Sequence, residues 1–279
     1  MNVSVVGAGT MGRGIGQVFA QSGHDVILID INRNVLESAE SNIKESLSRL
    51  NRKGLLKDSI ESIIGRIKYS SSIEDIKNSK IIIEAVFEKI EIKKETLEII
   101  SKYADPQAII GTNTSSISIN TLSQYVNGKE RFLGTHFFNP VPVMKLVEII
   151  TSERTDGRVL ETIEKVMIEI GKDPVFSKDF PGFVSNRILM PLIREAILTF
   201  EQGVASAADI DKTFRLGMNH PMGPLELADF VGLDVCYDVL EVLYRDYGDP
   251  RFKPPITLKN MVTAGKLGRK SSEGFYIYR

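Results

Sequence analysis

The chain has 279 residues, 42% hydrophobic and 25% charged, an ordinary globular composition with length enough for two domains. Its 35 Lys and Arg against 36 Asp and Glu give a net charge of −1, without the basic excess of a general nucleic-acid binder. The single cysteine, Cys236, excludes an intrachain disulfide and a cysteine-rich metal site. No apolar run approaches the ~18 residues of a membrane span. Val3–Val6 reads as a strand rather than a leader, so a cytoplasmic protein away from membranes is expected.

In chain order, short apolar runs alternate with segments of helical period. The runs are Val3–Val6, Val26–Ile29, Ile81–Ile83, Ala108–Ile110, Phe132–Thr135, Lys145–Ile150 and Pro174–Ser177. Between the second and third, Leu36, Ala39, Ile43, Leu47 and Leu50 follow steps of three and four, one face of a helix. Two more helices are expected from about Ile90 to Tyr103 and from Thr155 to Ile170. Such alternation predicts an α/β fold, a Rossmann-type doubly wound, mostly parallel sheet with helices on both faces. Beyond Phe180 the strand pattern stops. Helices are expected near 182–202, 206–216, 223–230 and 232–247, with Ser206 and Asp209 as capping residues. The boundary falls in Lys178-Asp-Phe-Pro-Gly182, giving a nucleotide domain over 1–180 and a smaller all-helical domain over 181–279.

Residues 7–12 are GAGTMG, a G-x-G-x-x-G pattern that is weak alone. Here it follows an apolar strand and opens a helical segment, and a second strand ends in Asp30, 18 residues past the last glycine. In that context each position has a dinucleotide-binding task. Gly7 makes the tight turn, Gly9 admits the pyrophosphate, and Gly12 lets helix and sheet pack closely. Thr10 and Met11 lie in the first turn, where backbone N–H groups face phosphate charge. Asp30 accepts hydrogen bonds from ribose hydroxyls and repels a 2′-phosphate, favouring NAD over NADP. Arg33 softens that preference, leaving NADP open.

Of three histidines, His24 lies in a Ser-Gly-His-Asp turn and is expected to be solvated, and His220 lies in a structural loop. His136 ends an apolar run, which delivers it to the carboxyl edge of the sheet, where ligands bind. A strand-end histidine more often only packs, but Glu148 sits inside the next apolar run. A strand does not bury a charge without a partner. If the two strands are neighbours, the carboxylate orients the imidazole and leaves its other nitrogen as a general base.

GAGTMG, NTSS at 113–116, HFFNPVPVMKLVE at 136–148, PGFVSNR at 181–187, NHPMGPLELADF at 219–230 and LGRKSSEGFY at 267–276 together resemble the 3-hydroxyacyl-CoA dehydrogenase family, over essentially the whole chain. The likeness is greatest to the single-function bacterial 3-hydroxybutyryl-CoA enzymes. The resemblance implies NAD-dependent, reversible oxidation of an (S)-3-hydroxyacyl-CoA. It makes His136 the base and Glu148 its partner. It sets Ser115 at both nicotinamide and reacting oxygen, and Asn186 on the substrate carbonyl. Glu88, Lys93, Asn139 and Lys270 become further cofactor contacts, and Ser46 and Lys53 contacts to coenzyme A. Arg49 and Arg52 join Lys53 as phosphate partners. The family also implies a homodimer or higher homo-oligomer.

From spacing alone, other readings stand. Ser115 reads equally as a turn residue, Asn186 as a helix-surface amide, Lys53 as part of a solvated face, and Glu88 with Lys93 as an ion pair at a helix start. Two rival functions remain: a related dehydrogenase acting on a free hydroxy acid, and a non-catalytic nucleotide-binding relative.

Overall fold

The structure, a computed structural model, describes residues 1–278. The chain divides into two compact units, Met1–Phe180 and the residues from Pro181 on.

The first unit runs β1 (Asn2–Val6), α1 (Thr10–Gln21), β2 (Asp25–Ile29), α2 (Arg33–Arg52), α3 (Ile60–Gly65), β3 (Ile67–Ser70), β4 (Ile81–Glu84), α4 (Ile90–Tyr103), β5 (Ile109–Thr112), α5 (Ile119–Leu122), β6 (Phe132–Phe137), β7 (Leu146–Thr151), α6 (Gly157–Glu169) and β8 (Asp173–Lys178). One sheet takes all eight strands in the order β3-β2-β1-β4-β5-β6-β7-β8. Neighbours run parallel except β6 and β7, which are antiparallel. The central strands are buried on both faces, so they read as unbroken apolar runs. The order reverses about β1 and β4, and ligands of such sheets bind at the carboxyl edge beside that reversal.

Helix α1 presents its glycines inward: a Cβ on Gly16 would touch Val26 and Leu28, and one on Gly14 would crowd Val141. Helix α2 starts where the Asn32 side chain accepts from the Asn34 N–H at 3.0 Å. It buries Leu36, Ala39, Ile43 and Leu47 as the spacing predicts, while Leu50, near its end, is only half-buried. Three elements of this unit, β3, α3 and the four-residue α5, escape the sequence pattern. Strand β3 has only Ile67 and Tyr69 as apolar residues and lies at the sheet edge. Helix α3 is one six-residue amphipathic turn capped by Ser59. At the opposite edge β8 accommodates Pro174, whose missing N–H costs nothing where no further strand pairs.

His24 corrects an expectation. It is buried rather than solvated, because the turn folds its ring back onto Phe19, with centroids 5.6 Å apart. Burial lowers its pKa, an effect that Glu169 at 3.6 Å partly offsets.

The second unit contains α7 (Ser185–Glu201), α8 (Ala207–Gly217), α9 (Pro224–Val231), α10 (Leu233–Tyr247) and α11 (Ile256–Thr263). Its core includes Met190, Ile197, Leu225, Cys236, Leu240 and Leu258. Ser206 caps α8 through the Asp209 N–H, as its spacing predicts. Helix α11 lies where prolines signal only a loop; Pro255 is its N-cap.

Two buried aspartates fasten this unit. Asp211 accepts from the Leu225 and Glu226 N–H groups at 2.8 Å each and from the Tyr276 hydroxyl at 2.7 Å. Asp229 accepts from the Phe275 and Tyr276 N–H groups and the Tyr278 hydroxyl, at 2.9, 3.0 and 2.9 Å. Burial raises the pKa of Asp229 despite these donors. A Cβ on Gly223 would strike Asp211, and one on Gly274 would strike Asp229. Much of the pattern in NHPMGPLELADF and LGRKSSEGFY therefore has a structural cause.

Candidate active site

The glycine loop connects β1 to α1. Gly7 has φ of +100°, and a Cβ there would run into the Ala85 carbonyl; one on Gly12 would strike the Gly7 carbonyl. Gly9 is different, since described residues leave open space beside its Cα. It is also the N-cap of α1, with no side-chain cap and no acidic residue in the following turn. This cradle of exposed helix N–H groups around Thr10 and Met11 fits a pyrophosphate. Asp30 directly follows β2 and holds the loop from the side. Its Oδ2 accepts from the Ala8 N–H and its Oδ1 from the Asn32 N–H, both at 2.9 Å. Each carboxylate oxygen retains acceptor capacity for a ribose hydroxyl.

His136 and Glu148 are register partners across β6 and β7. Directly opposed residues send their side chains to the same face. His136 Nδ1 lies 2.7 Å from Glu148 Oε2, with both residues buried. The imidazole also packs on Phe138, with centroids 4.6 Å apart. This arrangement leaves Nε2 as the ring nitrogen remote from the carboxylate.

Glu88 gathers the loop after β5. Its Oε1 accepts from the Thr114 hydroxyl at 2.6 Å, the Ser115 N–H at 2.8 Å, the Ser116 N–H at 3.1 Å and the Ser116 hydroxyl at 3.2 Å. Lys93, expected among the cofactor contacts, has no exposed surface. Its ammonium donates to Glu84 Oε1 at 2.9 Å and lies 3.4 Å from Glu88 Oε2, so it stands behind Glu88. Glu84, a fully buried acid at the end of β4, went unnoticed in the sequence because it directly follows the run Ile81–Ile83. Asn113 was also missed. Its side-chain oxygen accepts from the Phe137 N–H at 3.0 Å, which ties the serine loop to the strand bearing His136.

Ser46, Arg49, Arg52 and Lys53 on the last turns of α2 and its cap line a groove of about 540 Å³ with Pro140 and Val143. Asn139 follows β6, forms a cis peptide with Pro140, and lines an adjoining crevice with Thr10, Arg13 and Ser46. The same connection is pinned from beneath by Lys172. This buried ammonium donates to the carbonyls of Val141 and, at 2.7 Å, Met144. Desolvation lowers its pKa to about 8.

In the second unit, Asn186 occupies the first turn of α7 and is half-buried. Lys270 pairs with Asp234 at 2.5 Å. No cluster of His, Cys, Asp and Glu able to hold a metal ion occurs among the described residues.

The family profile "3-hydroxyacyl-CoA dehydrogenase, NAD binding domain" matches residues 2–180, and "3-hydroxyacyl-CoA dehydrogenase, C-terminal domain" matches 182–278. A probable 3-hydroxybutyryl-CoA dehydrogenase of Deinococcus radiodurans is 46% identical over all of both chains. The 3-hydroxybutyryl-CoA dehydrogenase of Bradyrhizobium diazoefficiens is 41% identical, over 99% of this chain and 95% of its own. The crystal structure of (S)-3-hydroxybutyryl-CoA dehydrogenase from Ralstonia eutropha superposes with a TM-score of 0.96 at 43% identity, over 100% of this chain and 99% of that one. With a Rossmann-type NAD-binding domain followed by a helical C-terminal domain, the chain belongs to the 3-hydroxyacyl-CoA dehydrogenase family.

Proposed function

We propose that the chain catalyses the reversible NAD-dependent oxidation of a short (S)-3-hydroxyacyl-CoA, such as 3-hydroxybutyryl-CoA, to the 3-oxoacyl-CoA. The observation that carries this reading is the 2.7 Å contact of His136 with Glu148 at the carboxyl edge of a nucleotide-binding sheet. When bound, NAD supplies the acceptor for the hydride that leaves C3. The chain's residues supply the proton chemistry and the alignment.

In the oxidative direction His136 Nε2 takes the hydroxyl proton, and Glu148 stabilises the resulting imidazolium while fixing its tautomer. In reverse, the imidazolium returns that proton to the carbonyl oxygen as it gains negative charge. Ser115 and Asn186 steady the substrate oxygens, Asn186 by polarising the carbonyl. The glycine loop, Asp30, Glu88, Asn139 and Lys270 orient the cofactor, and Lys93 acts through Glu88. The groove cations favour a coenzyme A ester over a free acid, because Arg49, Arg52 and Lys53 offer charge-assisted bonds to phosphates.

The test follows nicotinamide absorbance with acetoacetyl-CoA or free acetoacetate, each with NADH or NADPH. Rapid oxidation of NADH by the thioester alone is expected. Preference for acetoacetate would transfer the assignment to a free-acid enzyme. His136→Ala should lower kcat by two or more orders of magnitude, roughly the worth of a general acid–base, with NADH binding retained. Loss of NADH binding in that variant would give His136 a structural role.

We also infer a homodimer or larger homo-oligomer, supported by exposed Ile188, Val204 and Leu216 on the helical unit. A monomeric mass by light scattering would refute it. The proposed compartment is the cytoplasm; no helix among the described residues is long and apolar enough to cross a membrane.

A further inference from the structure

Glu84 is a fully buried carboxylate to which the mechanism above gives no task. Its Oε1 accepts from the Val86 N–H at 2.8 Å and from Lys93 Nζ at 2.9 Å. Its Oε2 accepts from the Thr112 hydroxyl at 2.6 Å and from the same ammonium at 3.2 Å. Its carbonyl receives the Asn113 N–H at 2.7 Å. One side chain thus joins the end of β4, the end of β5 and the first turns of α4.

A buried ion pair is a poor way to gain stability, since desolvation offsets most of its attraction. What this pair does is electrostatic division. Lys93 faces two carboxylates, Glu84 close by and Glu88 at 3.4 Å. Because Glu84 satisfies most of the ammonium, Glu88 keeps its other oxygen for the amides of Ser115 and Ser116. The ammonium also lies 3.5 Å from the Asn113 carbonyl, and the Asn113 side chain holds Phe137, the neighbour of His136. Without Glu84, a stranded buried cation would draw Glu88 inward and off the serine loop. We propose that Glu84 is a positioning residue that, through Lys93 and Glu88, sets the place of Ser115 relative to His136. The catalytic consequence rests on the function proposed above; the structural one does not.

The test compares wild type, Glu84→Gln and the paired variant Glu84→Gln with Lys93→Met, which removes both charges. Turnover of acetoacetyl-CoA with NADH is one readout. Amide hydrogen exchange over residues 113–117 without substrate is the other. In Glu84→Gln, kcat should fall about tenfold or more, given that a displacement of about 1 Å can cost about a hundredfold, and exchange over 113–117 should quicken. The paired variant should regain part of kcat over Glu84→Gln yet stay below wild type, with exchange still faster than wild type. A merely structural role would lower Tm while leaving kcat and exchange at wild-type values, and that result overturns the proposal. Unchanged exchange overturns it even if turnover falls. Should Glu84→Gln fail to fold, wild-type kcat and exchange in the folded paired variant overturn it equally. A wild-type protein inert toward every acyl-CoA strikes the proposed function instead, and the exchange comparison still decides the role of Glu84.

Discussion

Glu148 stands directly opposite His136 at the one antiparallel junction of an otherwise parallel sheet. Their 2.7 Å contact is therefore set by strand register rather than by a loop. Glu148→Gln preserves shape and removes charge. It should lower kcat roughly a hundredfold or more while NADH affinity holds, because the imidazolium loses its counter-charge. Steady-state kinetics with NADH titration by fluorescence checks this. An unchanged kcat would remove Glu148 from the mechanism.

Asp30 accepts from the Ala8 N–H that shapes the glycine loop, and the ribose side of the cofactor site is the further role proposed for it. Asp30→Ala should erode discrimination against NADPH by about tenfold or more, as expected when a repelling charge goes. It should also cost about 1–3 kcal/mol for the donors left unmet. Parallel kcat/KM measurements with the two cofactors, and a denaturant melt, separate the effects. An unaltered cofactor ratio would move ribose recognition elsewhere.

The groove on α2 should behave as a polyanion site. Arg49→Ala with Lys53→Ala should raise KM for acetoacetyl-CoA about tenfold, with little change in kcat or NADH affinity. The wild-type KM should rise with salt as the interaction is screened. A KM insensitive to both would leave these cations as a solvated helix face.

Lys172 makes a pH prediction with a definite sign. Its folded pKa of about 8 lies below the ordinary 10.5, so in that window the unfolded chain binds the proton more tightly. The stability difference between wild type and Lys172→Met should accordingly rise in favour of wild type from pH 8 to 10.5, and be flat below about pH 7. Urea unfolding across this range reads it directly. A falling difference would contradict the burial argument.

The aspartate fasteners of the helical unit predict a stability defect. Asp229→Ala strands the donors of Phe275, Tyr276 and Tyr278 and should cost about 3 kcal/mol or more. Tyr276→Phe should cost about 1 kcal/mol, one hydrogen bond's worth. Thermal melts distinguish them, and equal Tm values would show that the acid does not anchor the tail.

The sequence revealed most where physics forbids alternatives. A carboxylate inside the apolar run that forms β7 demanded a partner, and His136 was the strand-end candidate. Glycines around the β1 turn were legible because backbone crowding excludes other residues at Gly7 and Gly12. Signals failed where burial is created by tertiary packing alone. Strand β3 carries two apolar residues at a sheet edge, and α11 fully buries only Leu258. His24 looked like a turn residue because nothing local indicates that Phe19 lies beneath its ring. Glu84 drew no reading at all, since it directly follows an apolar run and the lysine that pairs with it lies nine residues on, in the next helix.

The register of β6 and β7 also governs how this site can change over time. Strand side chains alternate with a period of two, so inserting or deleting one residue in either strand would rotate His136 or Glu148 to the opposite face. Residues 138–145 between the strands are under no such parity rule. Between these two strands, length variation is thus confined to the segment that helps line the α2 groove, and that groove can be reshaped among descendants while the facing His136–Glu148 pair is inherited intact.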